Sequence, residues 1–438
     1  MKTAWYFTLV AAICFEGLGR KYLPQIPGFF FYFFKDAVLL FGYIRFRPTR
    51  FVSEVNRWLY RGFTIFWIVG FVWTVIEVFN PEHTSALLGV IGMRAYWVWW
   101  AAPLIIANVL DNDKEKRRAI YTLLASAAAI AIFAAVQFAV PSTSALNIYS
   151  VVDGEEIAST VVAATGRSRV ASTFSYVSGF SNFTILIPVL ILSFGLDAKD
   201  PKLRKLALVV TCMTAAVVPM SGARASVLLG AAMLIIAAWS TGLLFTRIGR
   251  RIVMGGVAAG VLAVVVFPEA FVGVQSRFSN EEETQSRYWA TAVVAFPPLA
   301  LAEFQYPAFG YGTGTQQNAR QMLHLPTKIE VEPEVGRYLA ELGPFGFLVI
   351  WATKLGLLVA LIRAYRILKR AGRRGAAAAA LSYACVALIG NLAFDHIWQS
   401  LYFLGCGSIL AEVVAVLRER AAAAAAAPPD AERALAAA

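Results

Sequence analysis

The chain has 438 residues, of which 59% are hydrophobic and only 15% are charged, and its mean hydropathy is +0.63. Soluble globular domains have roughly 45–50% apolar and about 25% charged residues. The composition therefore excludes an ordinary soluble enzyme, a disordered protein and a nucleic-acid-binding domain with a basic groove. Apolar runs of about 20 residues cross the ~30 Å hydrocarbon core of a bilayer. We expect an all-α, polytopic membrane protein.

Apolar windows between charge clusters predict twelve transmembrane helices within a membrane domain of residues 1–420. In chain order they are residues 3–19, 28–46, 61–79, 86–109, 118–140, 175–195, 204–220, 223–241, 251–268, 339–362, 375–394 and 397–417. The first apolar run predicts a span rather than a cleavable signal peptide. The Ala-rich segment 421–438 is predicted to be a low-complexity cytoplasmic tail.

Alternate connections between the predicted spans are strongly basic. Together with Lys2 and the C-terminal segment, they hold 26 of the 39 basic residues but only 10 of the 27 acidic ones. The positive-inside rule therefore places both termini in the cytoplasm. The formal net charge of +12 is thus a topology signal and predicts no nucleic-acid partner.

Two long segments fall on the opposite, outer side, at about 141–174 and 269–338. The second is too long for a simple connector, and long loops of this kind are usually functional. Because it mixes aromatic, Pro, Gly and charged residues, we expect this external loop to fold against the membrane domain.

Arginine is unexpectedly frequent on the outer side, where the positive-inside rule gives no reason for it. The strongest case is Arg224, which lies between two apolar runs. A charge at membrane depth costs free energy, so such a residue is a functional candidate by default. The alternatives are an arginine that snorkels to the headgroups or a structural ion pair. Because guanidinium groups bind phosphate oxygens in a bidentate manner, the set predicts an anionic ligand such as a lipid-linked pyrophosphate.

Other polar and aromatic groups receive structural interpretations. The three histidines, His83, His324 and His396, lack a metal-ligand pattern, so we expect neither a metal nor a cofactor. The aromatic run from Tyr96 to Trp100 is typical of interfacial anchoring. The neighbours Lys35 and Asp36 suggest an ion pair at the outer leaflet.

Four outer segments resemble, in order, the motifs of O-antigen ligases and O-antigen polymerases. Residues 169–174 resemble the segment that enters the sixth span, and Ser221–Gly230 is similar to the family's small-residue-plus-arginine signature. Residues 286–289 followed by 306–314 are similar to its loop pattern of Ser-Arg, an aromatic, Pro and Gly-x-Gly-x-Gly. Residues 332–346 resemble its closing motif, His-Asn followed by a helix ending in Ala-Glu-Leu-Gly-x-x-Gly.

This resemblance implies a GT-C-like, multi-pass enzyme of the bacterial inner membrane. Such an enzyme transfers a glycan from a polyprenyl-pyrophosphate donor to an acceptor hydroxyl at the outer face, in an inverting and metal-independent reaction. Its acceptor is a lipid-A core in a ligase and a second lipid-linked glycan in a polymerase, and a protein is a third option. The altered closing motif favours a polymerase of surface polysaccharide.

The resemblance also implies roles for individual residues. Arg224 and Arg287 would hold the leaving pyrophosphate, and a second group would bind substrate: Arg169, Arg277, Arg320, Glu334 and Arg337. The chain departs from the family at Glu332-Pro333, where the closing motif has His-Asn. Glu332 would then accept the proton from the acceptor hydroxyl, since a carboxylate is unprotonated at neutral pH. Glu334 is the alternative base, and Glu332 could instead only begin a helix. Glu341 is predicted to be structural.

A flippase or transporter of lipid-linked oligosaccharides is the alternative function. It also requires a cationic cavity and about twelve spans. The long external loop and the lack of an evident inverted repeat argue against it. The two functions differ in whether the arginines converge with loop carboxylates or line a path across the membrane.

Overall fold

Helices make up most of the computed structural model, as the composition predicts. The structure describes residues 1–23, 25–83, 85–152, 155–162, 165–242, 264–278, 285–286, 289, 292–293, 296–304, 306–317, 320, 323, 325, 331 and 334–426. The predicted base Glu332 and the predicted phosphate ligand Arg287 lie outside these residues. The same holds for most of the predicted span 251–268 and for the tail beyond Ala426.

The structure describes sixteen α-helices. They are α1 (Lys2–Cys14), α2 (Glu16–Tyr22), α3 (Gly28–Arg45), α4 (Arg50–Leu59), α5 (Thr64–Val78), α6 (Ala86–Trp97), α7 (Ala102–Val109), α8 (Asp113–Ala139), α9 (Val177–Asp197), α10 (Pro201–Val217), α11 (Arg224–Ser240), α12 (Pro268–Phe278), α13 (Pro297–Glu303), α14 (Glu334–Arg370), α15 (Arg374–Cys385) and α16 (His396–Ala426). Side-chain caps start several of them: Thr49 accepts from Val52 N, Asn112 accepts from Glu115 N, and Asp200 accepts from Lys202 N ahead of Pro201.

Six of the described helical segments are long and apolar enough to span a membrane, and a seventh results if α4 and α5, bent by 96°, count as one broken span. The predicted span 86–109 coincides with Ala86–Val109, in which a 3-10 turn joins α6 to α7. Two shorter apolar helices, α1 and α11, lie at two other predicted spans. A polytopic helical membrane protein is thus supported, whereas the number twelve stays a prediction.

Helices α9 and α16 form the centre of the bundle. Within their apolar windows, 89% and 83% of the residues are buried, compared with 44% in α8 and in the segment Pro201–Ser221. Helix α9 is therefore buried on nearly all sides, while α8 and α10 leave one face for lipid. Helix α16 continues to Ala426, six residues beyond the boundary predicted for the tail.

A small sheet departs from the all-α expectation. In the outer segment 141–174, strands β1 (Ile148–Val152) and β2 (Glu155–Ala158) pair antiparallel, with Ile148 opposite Ala158 and Val152 opposite Glu155. The β-branched and aromatic residues of β1 explain why this stretch pairs as a strand. The hairpin lies among the residues that precede α9.

Among the described residues, the basic connections near 111–118, 197–205 and 363–374 meet the N-terminus and the end of α16 at one end of the bundle. They are joined there by the ion pairs Lys2–Asp111, Lys116–Glu412, Arg117–Asp200 and Arg373–Glu419, with N–O distances of 2.7–2.9 Å. We call this the basic end. Helix α9 runs from the opposite end to Asp197, which accepts hydrogen bonds from the amides of Gly375 and Ala376 at the start of α15.

Helix α14 is interrupted at Gly343, whose φ of 67° and ψ of 178° are not helical. Glu334 and Lys354, 20 residues apart, nevertheless form an ion pair with an N–O distance of 3.1 Å. A straight helix would separate these residues by about 30 Å. The short arm (residues 334–342) therefore folds back along the long arm (residues 344–370). The long arm alone measures about 40 Å, which is enough to cross a bilayer.

The glycine loop (residues 310–314) fills the gap opened by this break. A helix end leaves carbonyls without intrahelical donors. Here Tyr311 N donates to Ala340 O (2.7 Å), Gly312 N to Glu341 O (3.1 Å), and the Trp73 indole N–H to Leu342 O (3.0 Å). The glycine loop is thus bonded both to the break of α14 and, through Thr313 N and Glu77 O, to α5.

We predict that Gly343→Ala destabilises the protein more than Gly62→Ala. Both glycines have positive φ (67° and 92°), so alanine is strained at either position, by about 1–3 kcal/mol. A Cβ at Gly343 would also clash with the Ala308 carbonyl, whereas nothing lies within 4 Å of one at Gly62. Thermal unfolding in detergent should show the larger loss for Gly343→Ala. Equal losses would contradict the close docking of the glycine loop.

Candidate functional site

The turn Ser221–Arg224 leads into α11 and carries Arg224, the strongest candidate for a functional residue from the sequence analysis. The 3-10 turn Val218–Ser221 ends at Gly222, whose φ of 60° reverses the chain, and Arg224 is the first residue of α11. Ser221 Oγ accepts from Ala223 N (3.1 Å) and lies 3.2 Å from Ser226 Oγ. These two buried serine hydroxyls satisfy the polar groups of the turn. We call residues 221–224 the arginine turn.

A second predicted arginine packs on the same turn. Arg169 Nε donates to Ser221 O (3.1 Å), and the amide of the next residue, Val170, donates to Met220 O (3.0 Å). Arg169 and Arg224 come from matched motifs about 50 residues apart, and both side chains are half-buried. The structure thus brings Arg169, a predicted substrate-binding residue, against the turn that carries Arg224, a predicted pyrophosphate ligand.

The segment that carries Arg169 is firmly fixed. Ser172 has a φ of 51°, which is uncommon for a residue other than glycine and costs free energy. Three contacts hold it: Ser172 Oγ donates to Ile130 O (2.8 Å), Lys21 Nζ donates to Ser172 O (2.7 Å), and Thr173 Oγ1 donates to Cys14 O (2.5 Å). Strain of this kind clusters at functional sites, so the segment is a reasonable part of one.

Helix α9 connects the arginine turn to a second polar region. Ser226 Oγ donates to Ser181 Oγ (3.4 Å), and the neighbouring Asn182 amide donates to Asp395 Oδ2 (2.7 Å). Asp395 Oδ1 also accepts from the amides of Ile397 and Trp398, so it caps α16. Ser181 lies about 24 Å along α9 from Asp197, and therefore far from the basic end.

Three ion pairs lie on or between the helices of this region. Asp36 binds Arg94 through both Nε and Nη2 and also accepts from the Trp99 indole N–H (2.9 Å). Lys35 pairs with Glu16 rather than with its neighbour Asp36, and Glu334 pairs with Lys354. Charges placed among apolar helices are expensive and mark functional sites by default.

The remaining predicted binding residues lie on three different segments. Arg337 Nε donates to Val331 O (2.7 Å), and its guanidinium lies 5.8 Å from the Phe394 ring centroid. Arg320 follows the glycine loop, where its amide donates to Gln317 O (3.1 Å). Arg277 lies on α12, but its side chain is outside the described part of the structure. The geometry therefore places Arg169 against the turn that carries Arg224, and it places Glu334 and Arg337 on the same short arm.

Glu341 has the structural position predicted for it. It is fully buried, and it accepts from the Tyr96 hydroxyl (2.9 Å) and from the Gln316 amide (2.7 Å). Its carboxylate therefore ties the residues after the glycine loop to α6. Among the residues that the structure describes, no group of three or more His, Cys, Asp or Glu side chains could hold a metal ion.

Two of the sequence interpretations are wrong. Tyr96, Trp97 and Trp99 are buried rather than anchored at a lipid interface, and each donates a hydrogen bond to a side chain of another helix. Aromatic residues near the end of a predicted span are typical both of an interfacial belt and of a packed core with polar groups. The sequence alone therefore does not distinguish the two arrangements. The predicted ion pair between Lys35 and Asp36 is also wrong, because Lys35 pairs with Glu16 and Asp36 pairs with Arg94.

The sequence analysis also missed the partners of Arg94 and Lys35. The available signal was the presence of charges within three predicted spans: Glu16 in 3–19, Lys35 and Asp36 in 28–46, and Arg94 in 86–109. Asp36 and Arg94 come from different helices, so their contact follows from tertiary packing and not from spacing.

No protein-family model matches this chain, and no curated protein sequence matches it either. The likeness to O-antigen ligases and polymerases therefore rests on the four motifs.

We predict that the charge of Lys21 makes stability depend on pH. Burial lowers the pKa of Lys21 to about 7, whereas an unfolded lysine has a pKa near 10.4. Between about pH 7 and pH 10 the unfolded state thus binds a proton that the folded state lacks, and stability rises with pH. Lys21→Met should flatten this rise in thermal unfolding measured from pH 7.5 to 9.5. The exposed Lys205→Met is the control, and an unchanged slope in Lys21→Met would contradict the assignment.

Proposed function

We propose that this protein is a membrane glycosyltransferase of the O-antigen ligase or polysaccharide polymerase type. It takes a glycan from a polyprenyl-pyrophosphate donor and transfers it to an acceptor hydroxyl at the outer face of the bacterial inner membrane. The observation that carries the proposal is the meeting of Arg169 and Arg224 at one turn, at the end of α9 remote from the basic end. A pair of guanidinium groups there suits a pyrophosphate.

The proposal includes the finer architecture. Twelve spans in a GT-C-like arrangement would place both termini in the cytoplasm, because the basic end gathers the Lys- and Arg-rich connections. The donor is embedded in lipid and the acceptor is a glycan or a lipid-A core. This agrees with a site at the opposite end of α9, close to the external loop.

The chemistry is an inverting displacement. The acceptor oxygen attacks the anomeric carbon from the face opposite to the pyrophosphate, and the bond between that carbon and the phosphate oxygen breaks. The pyrophosphate leaves with the electron pair, and arginines stabilise its developing charge. A base accepts the proton of the acceptor hydroxyl.

We assign the base to Glu332 rather than to Glu334. Glu334 is paired with Lys354 at 3.1 Å, and its side chain is only 10% exposed. An acceptor hydroxyl would therefore have to displace the Lys354 ammonium and enter a buried position to reach this carboxylate. Glu332 is the remaining acid at the place of the family's histidine.

A flippase of lipid-linked oligosaccharides is the second candidate, and the broken helix α14 favours it. Transporters bind substrates where spanning helices are interrupted. The two functions give different products in proteoliposomes, because a flippase moves an unchanged lipid-linked glycan between leaflets, whereas a transferase forms a new glycosidic bond.

We predict that Arg224→Lys lowers transfer at least about ten-fold. A lysine keeps the charge but loses the bidentate fork, and a hydrogen bond to a charged group contributes about 1.5–3 kcal/mol. Transfer is measured with purified protein in nanodiscs and a polyprenyl-pyrophosphate-linked glycan. Arg50→Lys is the matched control, because the Arg50 side chain is 93% exposed and pairs only with Glu54 in its own helix. Normal transfer by Arg224→Lys at equal protein levels would overturn this role.

We predict that Glu332→Gln lowers the transfer rate by about 10²–10⁴-fold, because this is the usual contribution of a general base to the rate. The affinity for the donor should change little. Glu332→His should recover part of the rate, since imidazole also accepts a proton. The exposed Glu303→Gln is the control. A Glu332→Gln variant with the full rate would exclude Glu332 as the base.

A further inference from the structure

The ion pair between Glu334 and Lys354 is the contact that holds the two arms of α14 together. Its side chains are 10% and 4% exposed, and the N–O distance is 3.1 Å. The Lys354 ammonium also lies 5.3 Å from the centroid of the Tyr338 ring, on the short arm. Lys354 therefore contacts the short arm at its first residue and again one helical turn later.

The short arm in turn fixes the end of the external loop. Val331 O accepts from Arg337 Nε (2.7 Å), and Val331 N donates to Gln316 Oε1 (3.2 Å). Gln316 N donates to Glu341 (2.7 Å). Val331 is thus tied to the short arm on one side and to the residues after the glycine loop on the other. Glu332 is the next residue in the chain.

A buried ion pair is a poor device for stability alone. Removing two charges from water is costly, and well-packed apolar residues of similar size often replace such a pair without loss. What a charge pair does provide is one defined geometry, because the attraction weakens when the partners move apart. The Glu334–Lys354 pair therefore fits a role in placing the short arm.

We propose that Lys354 is a positioning residue for the transfer reaction. It acts through Glu334 to set where the short arm begins and, with it, where Val331 lies, which is the residue before the proposed base in the sequence. This inference rests on the proposed function. Misplacing a reacting group by about 1 Å can cost 10²-fold in rate, so a salt bridge remote from the donor phosphates would still affect turnover.

The test compares an apolar pair with a reversed pair. Glu334→Leu with Lys354→Met should unfold at a temperature close to that of the wild type, but its kcat should fall about 10²-fold with the KM for the donor unchanged. Glu334→Lys with Lys354→Glu restores an ion pair and should recover most of kcat. Full kcat in the apolar pair would reduce the salt bridge to a structural contact and overturn the proposal. A stable but inactive reversed pair would also overturn it, because Glu334 would then act by its own chemistry.

A second measurement does not depend on activity. Val331 is buried, so a Val331→Cys variant, in a background where the four native cysteines are replaced, should react slowly with a maleimide. The apolar pair should accelerate this labelling, and the reversed pair should keep it slow. If the wild type transfers no glycan, the proposed function fails while this labelling still reports on the short arm. Equal labelling rates in all three proteins would contradict the positioning role.

Discussion

The break of α14 at Gly343 is the constraint on which the candidate site depends. Interrupting a helix leaves carbonyls that must find donors away from water, and the glycine loop and Trp73 supply them. Because the donors come from the external loop and from α5, the break also fixes both against the membrane domain. Glu341 adds a tie to α6 through Tyr96. One local irregularity thus positions the external loop, the short arm and two neighbouring helices.

The membrane helices were predictable because apolar length is a property of the sequence alone. The span 86–109 agrees to the residue, and those near 175–195 and 204–220 agree within a few residues. The fold-back of α14 was not predictable in the same way. Its apolar run continues through Gly343 and Pro344, so hydropathy favours a single helix starting near residue 339. Only the contact between Glu334 and Lys354 reveals that the residues before the break return along those after it.

The residues of the candidate site were predictable from the sequence, but their pairings were not. The motifs identified Arg169 and Arg224 one at a time, and the structure adds that both lie at the arginine turn. The buried pair of Asp36 and Arg94 was missed as a pair because its partners lie on different helices. Sequence spacing orders side chains along one helix, but it carries no information on which helices are neighbours. Charges within predicted spans therefore indicated that buried ion pairs exist, but they did not indicate which charges form a pair.

The way these elements are tied together bears on the choice between a transferase and a flippase. Alternating access requires one group of helices to rock against another around a fixed site. Thr313 in the glycine loop bonds to Glu77 on α5 and to Gly89 on α6, while its neighbours bond to the broken part of α14. Asn182 on α9 holds Asp395 at the start of α16. Rocking would have to break several buried hydrogen bonds at once, each costly to leave unmade. A reaction centre, in contrast, gains from groups held in one place, and for this reason we favour the transferase.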